Sequence, residues 1–99
     1  MKLLYCRACT DARKLQSTTV LCACGKSRGR YLADGRCAEI IGDTAECIGL
    51  DNHLFNRALE IFWIDAERAE AGAEFGPPIG AWLFPHNYSR IKRYPDEAA

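Results

Sequence analysis

The chain has 99 residues, 48% of them hydrophobic, and its 13 basic and 13 acidic residues cancel to zero formal net charge. That length holds one core, so a single domain over 1–99 is expected. The composition excludes a disordered chain, and the balance excludes a uniformly basic nucleic-acid binder. The charge is polarised all the same: residues 1–36 carry eight Lys/Arg against two Asp/Glu, and residues 37–80 carry two against nine.

"KLLYC" reads as a strand that leads into Cys6-Arg7-Ala8-Cys9, a CxxC. "MKLLYC" has the Leu-x-x-Cys of a lipoprotein site but lacks the apolar stretch of about 7–15 residues that export requires. No apolar run approaches the roughly 18 residues of a membrane span. The expectation is therefore a cytoplasmic protein without signal peptide or membrane contact. In a reducing compartment six cysteines point to metal or chemistry rather than to a disulfide frame. "TDARKLQSTT" is a polar connection, and "VLCAC" is a second strand entering Cys22-Ala23-Cys24-Gly25. Two close cysteine pairs brought together by a hairpin can complete a tetrahedron of sulfurs at about 2.3 Å from a zinc ion. A glycine after the last cysteine suits the left-handed backbone of a knuckle. Cys6, Cys9, Cys22 and Cys24 are thus the expected Zn²⁺ ligands. The second pair is CxC where the usual ribbon has CxxC. Gly25-Lys26-Ser27 is not a phosphate-binding loop, because Val20 stands where that motif needs glycine.

Cys37 and Cys47 read as small buried hydrophobes, the ordinary state of a free cysteine. A share in a metal site or a nucleophilic role is the alternative. In "RGRYLADGRCAEII" the Asp34-Gly35 pair between two β-type runs signals a two-residue type I′ hairpin. "AECIGL" is a further short strand after Gly42-Asp43. Residues 1–50 are therefore expected to form one small antiparallel sheet topped by the metal site.

Asp51 or Asn52 can cap a helix, and Phe55, Ala58, Leu59, Phe62, Trp63, Ala66, Ala69 and Ala73 recur at helical spacing. A helix is expected within 51–76, ending before Pro77-Pro78, with its Phe55-to-Trp63 face packed on the sheet. "IGAWLFPHNYSRIKRY" reads as a C-terminal hairpin over 79–94. His53 and His86 read as surface or helix-start residues. The fold class is α+β: a zinc-ribbon-like antiparallel sheet, one amphipathic helix and a C-terminal β-hairpin.

The order CxxC, Cys-x-Cys-Gly, Gly-Arg-Tyr, Asp-Gly, Ala-Glu, Gly and Ile-Gly-x-x-Asn resembles a family of small proteins encoded by phages and prophages. The residues that carry the resemblance are Cys6, Cys9, Cys22, Cys24, Gly25, Gly29, Arg30, Tyr31, Asp34, Gly35, Ala38, Glu39, Gly42, Gly49 and Asn52. The resemblance covers residues 3–56. The resemblance implies a zinc-ribbon-like fold and a viral setting, hence the cytoplasm of an infected bacterial host. It implies no activity.

Lys26, Arg28, Arg30, Arg36 and Arg90 supply cations for a phosphate, Tyr31, Tyr88 and the tryptophans Trp63 and Trp82 supply aromatic planes, and Asn52 joins them as a candidate ligand residue. Strand alternation turns Tyr31 inward and leaves Arg30 on the outer face with Arg28. No histidine pair or histidine–carboxylate set accompanies the closed Cys₄ site, so the protein is expected to be no enzyme. The expected function is non-catalytic capture of a small anionic, nucleotide-type ligand. One version is counter-defence, in which a host nucleotide-derived immune signal is sequestered in a pocket, also one between the subunits of a homo-oligomer. The alternative is a nucleic-acid-binding or transcription-related zinc-ribbon adaptor, which the acidic 37–80 segment opposes.

Overall fold

The structure, a computed structural model, describes residues 1–64 and 79–95. Eight strands and one helix follow in the order β1 Lys2–Cys6, β2 Ala12–Lys14, β3 Val20–Leu21, β4 Arg28–Tyr31, β5 Ala38–Ile41, β6 Ala45–Leu50, α1 Asn52–Ile64, β7 Ala81–Leu83 and β8 Ile91–Tyr94. They form two four-stranded sheets, β2-β1-β6-β7 and β3-β4-β5-β8, where the sequence suggested one. The division falls at Gly42. Its φ of +125° is open to glycine alone, and a Cβ there would overlap the Lys26 carbonyl. The chain turns at this point and passes from an inner strand of one sheet, β5, to an inner strand of the other, β6. All pairings are antiparallel except β5 with β8, which is parallel.

Alternation builds the core. Leu4 and Cys6 of β1, Ala38 and Ile40 of β5, and Ala45 and Cys47 of β6 face inward and are buried. Leu15, which follows β2 in what read as a polar connection, is also buried and belongs to the same cluster, as does Ile91 of β8. Many inward residues are small, so the sheets meet closely where β2 passes β3 and β5 passes β6. Cys47 sits fully inside, and burial pushes its thiol up to about 11. Cys37 is half-buried, and its thiol is raised by hydrogen bonding to the neighbouring Asp34 carboxylate.

The Asp34-Gly35 connection is longer than a two-residue turn. The last strand pair is Tyr31 with Ala38, and the Leu32 N–H donates to the Cys37 carbonyl at 2.8 Å. Residues 33–36 form the loop. Asp34 Oδ1 accepts from the N–H groups of Arg36 (2.9 Å) and Cys37 (2.8 Å). A carboxylate that turns back on its own backbone holds a wider loop than a type I′ turn.

Residues 79–94 do not form a hairpin. β7 adds to β6 in the first sheet and β8 adds to β5 in the second, with Phe84 N–H donating to the Cys47 carbonyl (3.0 Å) at the crossing. Each run completes the edge of a different sheet, so the segment spans the two sheets as a strap. The helix also departs from expectation. Asp51 caps it, Oδ1 accepting from Leu54 N–H at 3.1 Å. Phe55 is half-buried and Ala58 buried, yet Leu59, Phe62 and Trp63 are exposed, Trp63 by 73%. The two sheets already cover each other, so among the described residues α1 is tied in by its first turns, through Asp51 N–H to the Gly80 carbonyl (2.9 Å) and the buried Ala58. The part of the expected helix beyond residue 64 lies outside the described residues. No described helix is long and apolar enough to cross a membrane.

Glu46 of β6 knots the sheets together. Its carboxylate, only 14% exposed, accepts from Arg93 of β8 (3.3 Å), shares a hydrogen bond with His86 (3.1 Å) and forms an ion pair with Arg7 (3.3 Å). Burial pushes this carboxyl up, but the Arg93 and His86 bonds outweigh it and hold the group below its ordinary 4.5. A carboxyl with a depressed folded value stabilises the fold above its ordinary range and loses that contribution as pH falls. Glu46→Gln is therefore expected to cost about 2 kcal/mol at neutral pH. In thermal melts across the acid range the gap to the wild type should close. A gap that persists in strong acid would assign the loss to packing instead.

Candidate functional site

Two chain turns carry the four cysteines. Cys6 ends β1, and the Thr10 N–H closes the first turn on the Cys6 carbonyl at 2.8 Å with Thr10 at φ +58°. Cys22 follows β3, and the Gly25 N–H closes the second on the Cys22 carbonyl at 3.1 Å with Gly25 at φ +77°. Each loop thus ends in a left-handed residue that turns two sulfurs toward one point. The four Sγ atoms lie within 4.8 Å of one another, with Cys6–Cys24 at 3.8 Å and Cys22–Cys24 at 3.5 Å. A tetrahedron with metal–sulfur bonds of about 2.3 Å has edges of about 3.8 Å. All four are free thiols. The donor set and the spacing fit a bound metal ion.

The electrostatics of the cluster point the same way. Hydrogen bonds from the Ser27 and Thr44 side chains outweigh burial and lower the Cys6 thiol to about 5. The Lys26 N–H lowers Cys24, but desolvation and the other three sulfurs outweigh it and raise that thiol to about 11. Four sulfurs this close cannot all ionise alone, whereas a divalent cation makes every one a thiolate.

Three polar residues around the sulfurs carried no signal in the sequence. Ser27, fully buried, donates its N–H to Cys22 Sγ at 3.3 Å and shares a hydroxyl hydrogen bond with Thr44 at 3.1 Å. Thr44 Oγ1 lies 3.5 Å from Cys6 Sγ. Asp11 Oδ2 accepts from the Ala23 N–H (2.8 Å) and from Arg13 (2.6 Å), and so ties the first knuckle to the second. Their partners are distant in sequence, and only the assembled fold pairs them. Such outer groups orient the ligating atoms.

The candidate ligand residues divide. Lys26 is exposed beside the second knuckle. Arg28 and Arg30 lie on β4, and Arg30 Nε pairs with Glu39 Oε1 across the strands at 2.6 Å. Arg30 is therefore engaged by a carboxylate. Tyr31 turns to the core, and its hydroxyl accepts the Lys2 N–H of β1 at 2.9 Å. Tyr31, Asn52, Tyr88 and Arg90 meet at a cleft of about 550 Å³. The cleft also gathers Lys2, Lys14 and Arg36 as cations, and Trp82 and Phe84 as aromatic walls. No described residue lining it is acidic. Lys2 and Lys14 come from β1 and β2, Trp82 from β7, and Arg36 from the loop between β4 and β5, so no local motif announces the set.

No family model matches the chain, and neither a curated protein nor a solved structure matches it.

Freshly prepared, reduced protein is expected to hold about one metal ion per chain by elemental analysis. Cys6→Ser should abolish or sharply lower the cooperative melt, because the binding energy of a structural metal is folding energy. Cys37→Ser, outside the cluster, should cost on the order of 1 kcal/mol. Metal-free protein with an unchanged melt would remove the metal centre, and equal losses from the two variants would give Cys37 a comparable structural weight.

Proposed function

We propose that this chain is a non-catalytic binding protein that captures a small anionic, nucleotide-type ligand. The observation that carries the reading is the cleft itself. Lys2, Lys14, Arg36 and Arg90 face it together with four aromatic side chains, and no carboxylate stands among its described walls. Cations without an intervening acid suit a phosphate, and aromatic walls suit a base. In this reading Cys6, Cys9, Cys22 and Cys24 hold Zn²⁺, since a compact four-thiolate set favours zinc among the common ions. The ion is structural: it would join the two knuckles and supply no chemistry to a ligand, because all four positions around it are filled by protein.

The resemblance to phage-encoded proteins gives the reading a setting, the cytoplasm of an infected bacterium. There a stoichiometric sponge for a host nucleotide signal needs affinity and abundance, not turnover. The size of the cleft suits such a ligand, because pockets for small molecules run from about 300 to 1,000 Å³.

A nucleic-acid adaptor would give a different response to salt. Binding of ADP in the cleft should weaken only modestly as ionic strength rises, because few counterions are released. Binding of a single-stranded oligonucleotide along a surface should fall steeply. Calorimetric titrations with both, over a series of salt concentrations, separate the two. Tight, steeply salt-dependent oligonucleotide binding with no uptake of any nucleotide would replace the capture reading with the adaptor.

A further inference from the structure

The four rings of the cleft are not equivalent. The Lys2 ammonium stands 5.5 Å from the Tyr31 centroid and 5.7 Å from that of Phe84, so a cation already covers these two rings. Tyr88 leans on Phe84 with centroids 5.2 Å apart. Trp82 differs. It meets Phe84 only edge-on, at 5.9 Å and 74°, and is 46% exposed. Its indole fills the space that a side chain at Gly49, its partner across β6 and β7, would occupy, and any Cβ there would overlap the ring. One side of the indole is thus pressed on bare backbone while the ring borders the cleft.

The cations divide in the same way. Lys2 is engaged with the two rings. Lys14, Arg36 and Arg90 make no ion pair among the described residues. Arg36 is set in place by Asp34, which binds the Arg36 and Cys37 N–H groups and is itself held down to about 2, first by the Cys37 thiol and then by those amides. Two guanidinium forks and an ammonium facing one space provide more charge and more donors than a single carboxylate uses.

We propose that Trp82 is the stacking platform for the base of a nucleoside diphosphate or triphosphate, whose phosphates bind Lys14, Arg36 and Arg90. Gly49 is the positioning residue that lets the indole lie flat. This rests on the reading of the cleft as an anion site and adds to it which ring takes the base and which cations take the phosphates. A nucleobase gains about 1–3 kcal/mol from one aromatic platform, which corresponds to roughly 5- to 150-fold in affinity. Stacking tolerates any base, so discrimination among bases would come from groups at the base edge, such as Asn52, whose Oδ1 accepts from the Met1 ammonium at 3.0 Å.

The test uses the full chain carrying Trp63→Phe, which leaves Trp82 as the sole tryptophan. ADP, inorganic pyrophosphate and adenosine are titrated while tryptophan fluorescence and calorimetric heat are followed. ADP should quench the fluorescence and bind about tenfold or more tighter than pyrophosphate, which should bind without quenching. Trp82→Leu should bring ADP down to the pyrophosphate level and leave pyrophosphate unchanged. Gly49→Ala, checked for an intact melt, should reproduce that loss, and Arg36→Ala should weaken both ligands. Equal binding of ADP and pyrophosphate with no change in fluorescence overturns the platform and leaves the anion cleft standing. Failure of both to bind overturns the cleft reading together with the platform. Quenching by adenosine alone, without any uptake of pyrophosphate, overturns the phosphate assignment. The wild-type-cleft comparison of ADP with pyrophosphate decides the matter even if a Trp82 variant fails to fold.

Discussion

Cys6 terminates β1 in one sheet, and Cys22 and Cys24 lie in the turn between β3 and β4 of the other. Gathering their sulfurs within 4.8 Å therefore fixes how the two sheets meet. The hydrophobic core between them is modest: Leu4, Leu15, Ile40 and Ile91 with two alanines and one cysteine. A domain of this size buries a smaller fraction of its surface than a larger one, so each covalent or ionic tie weighs more. Thiolates packed this closely repel unless a cation sits among them. The same cluster is thus a liability without a metal ion and a cross-link with one. Asp11, Ser27 and Thr44 add hydrogen bonds between the segments that bear the cysteines, so the junction is stiff in more than one direction.

From that junction the cleft follows. β1 carries Cys6 at one end and Lys2 at the other, about 13 Å apart for a strand of five residues. Holding Cys6 against the second sheet also holds the far end of β1 beside Tyr31 of β4, where the tyrosine hydroxyl receives the Lys2 N–H. The strap from β7 to β8 then joins the two sheets at their other edges. It brings Trp82 to β6 and Arg90 to the start of β8, and Glu46 locks it through His86 and Arg93. The cleft is the space left between two sheets pinned at one end and strapped across. Its basic character comes from the first third of the sequence and from the strap, while the acidic residues 39 and 46 spend their charge on Arg30 and Arg93 outside it.

How much of this was legible beforehand depended on the range of the interaction. The four cysteines could be read because a knuckle is local: two sulfurs a few residues apart and a left-handed residue after them need no knowledge of the rest. Asp51 as a cap, Tyr31 inward with Arg30 outward, and Cys47 as a core residue were likewise set by neighbours along the chain. The helix face was misjudged for a related reason. Periodicity shows which side chains share a face but not whether a partner is left to cover it, and here the sheets cover each other. The hairpin over 79–94 failed because two β-type runs and a turn look the same whether they pair together or with separate sheets.

The sequence by itself determined which four cysteines cluster as a candidate metal site, the polarised charge, the α+β class and the start of the helix, since each rests on spacing, composition or backbone preference within a few positions. Only the tertiary structure decided that there are two sheets, that Ser27 and Thr44 support the sulfurs, and that Lys2, Lys14, Arg36 and Trp82 share a cleft with Tyr31, Tyr88, Arg90 and Asn52. The physical reason is that these residues sit on strands far apart in the chain. Which strands pair is chosen by burial over the whole core and by backbone crossings such as Gly42 and Gly49, where the absence of a side chain lets distant segments touch.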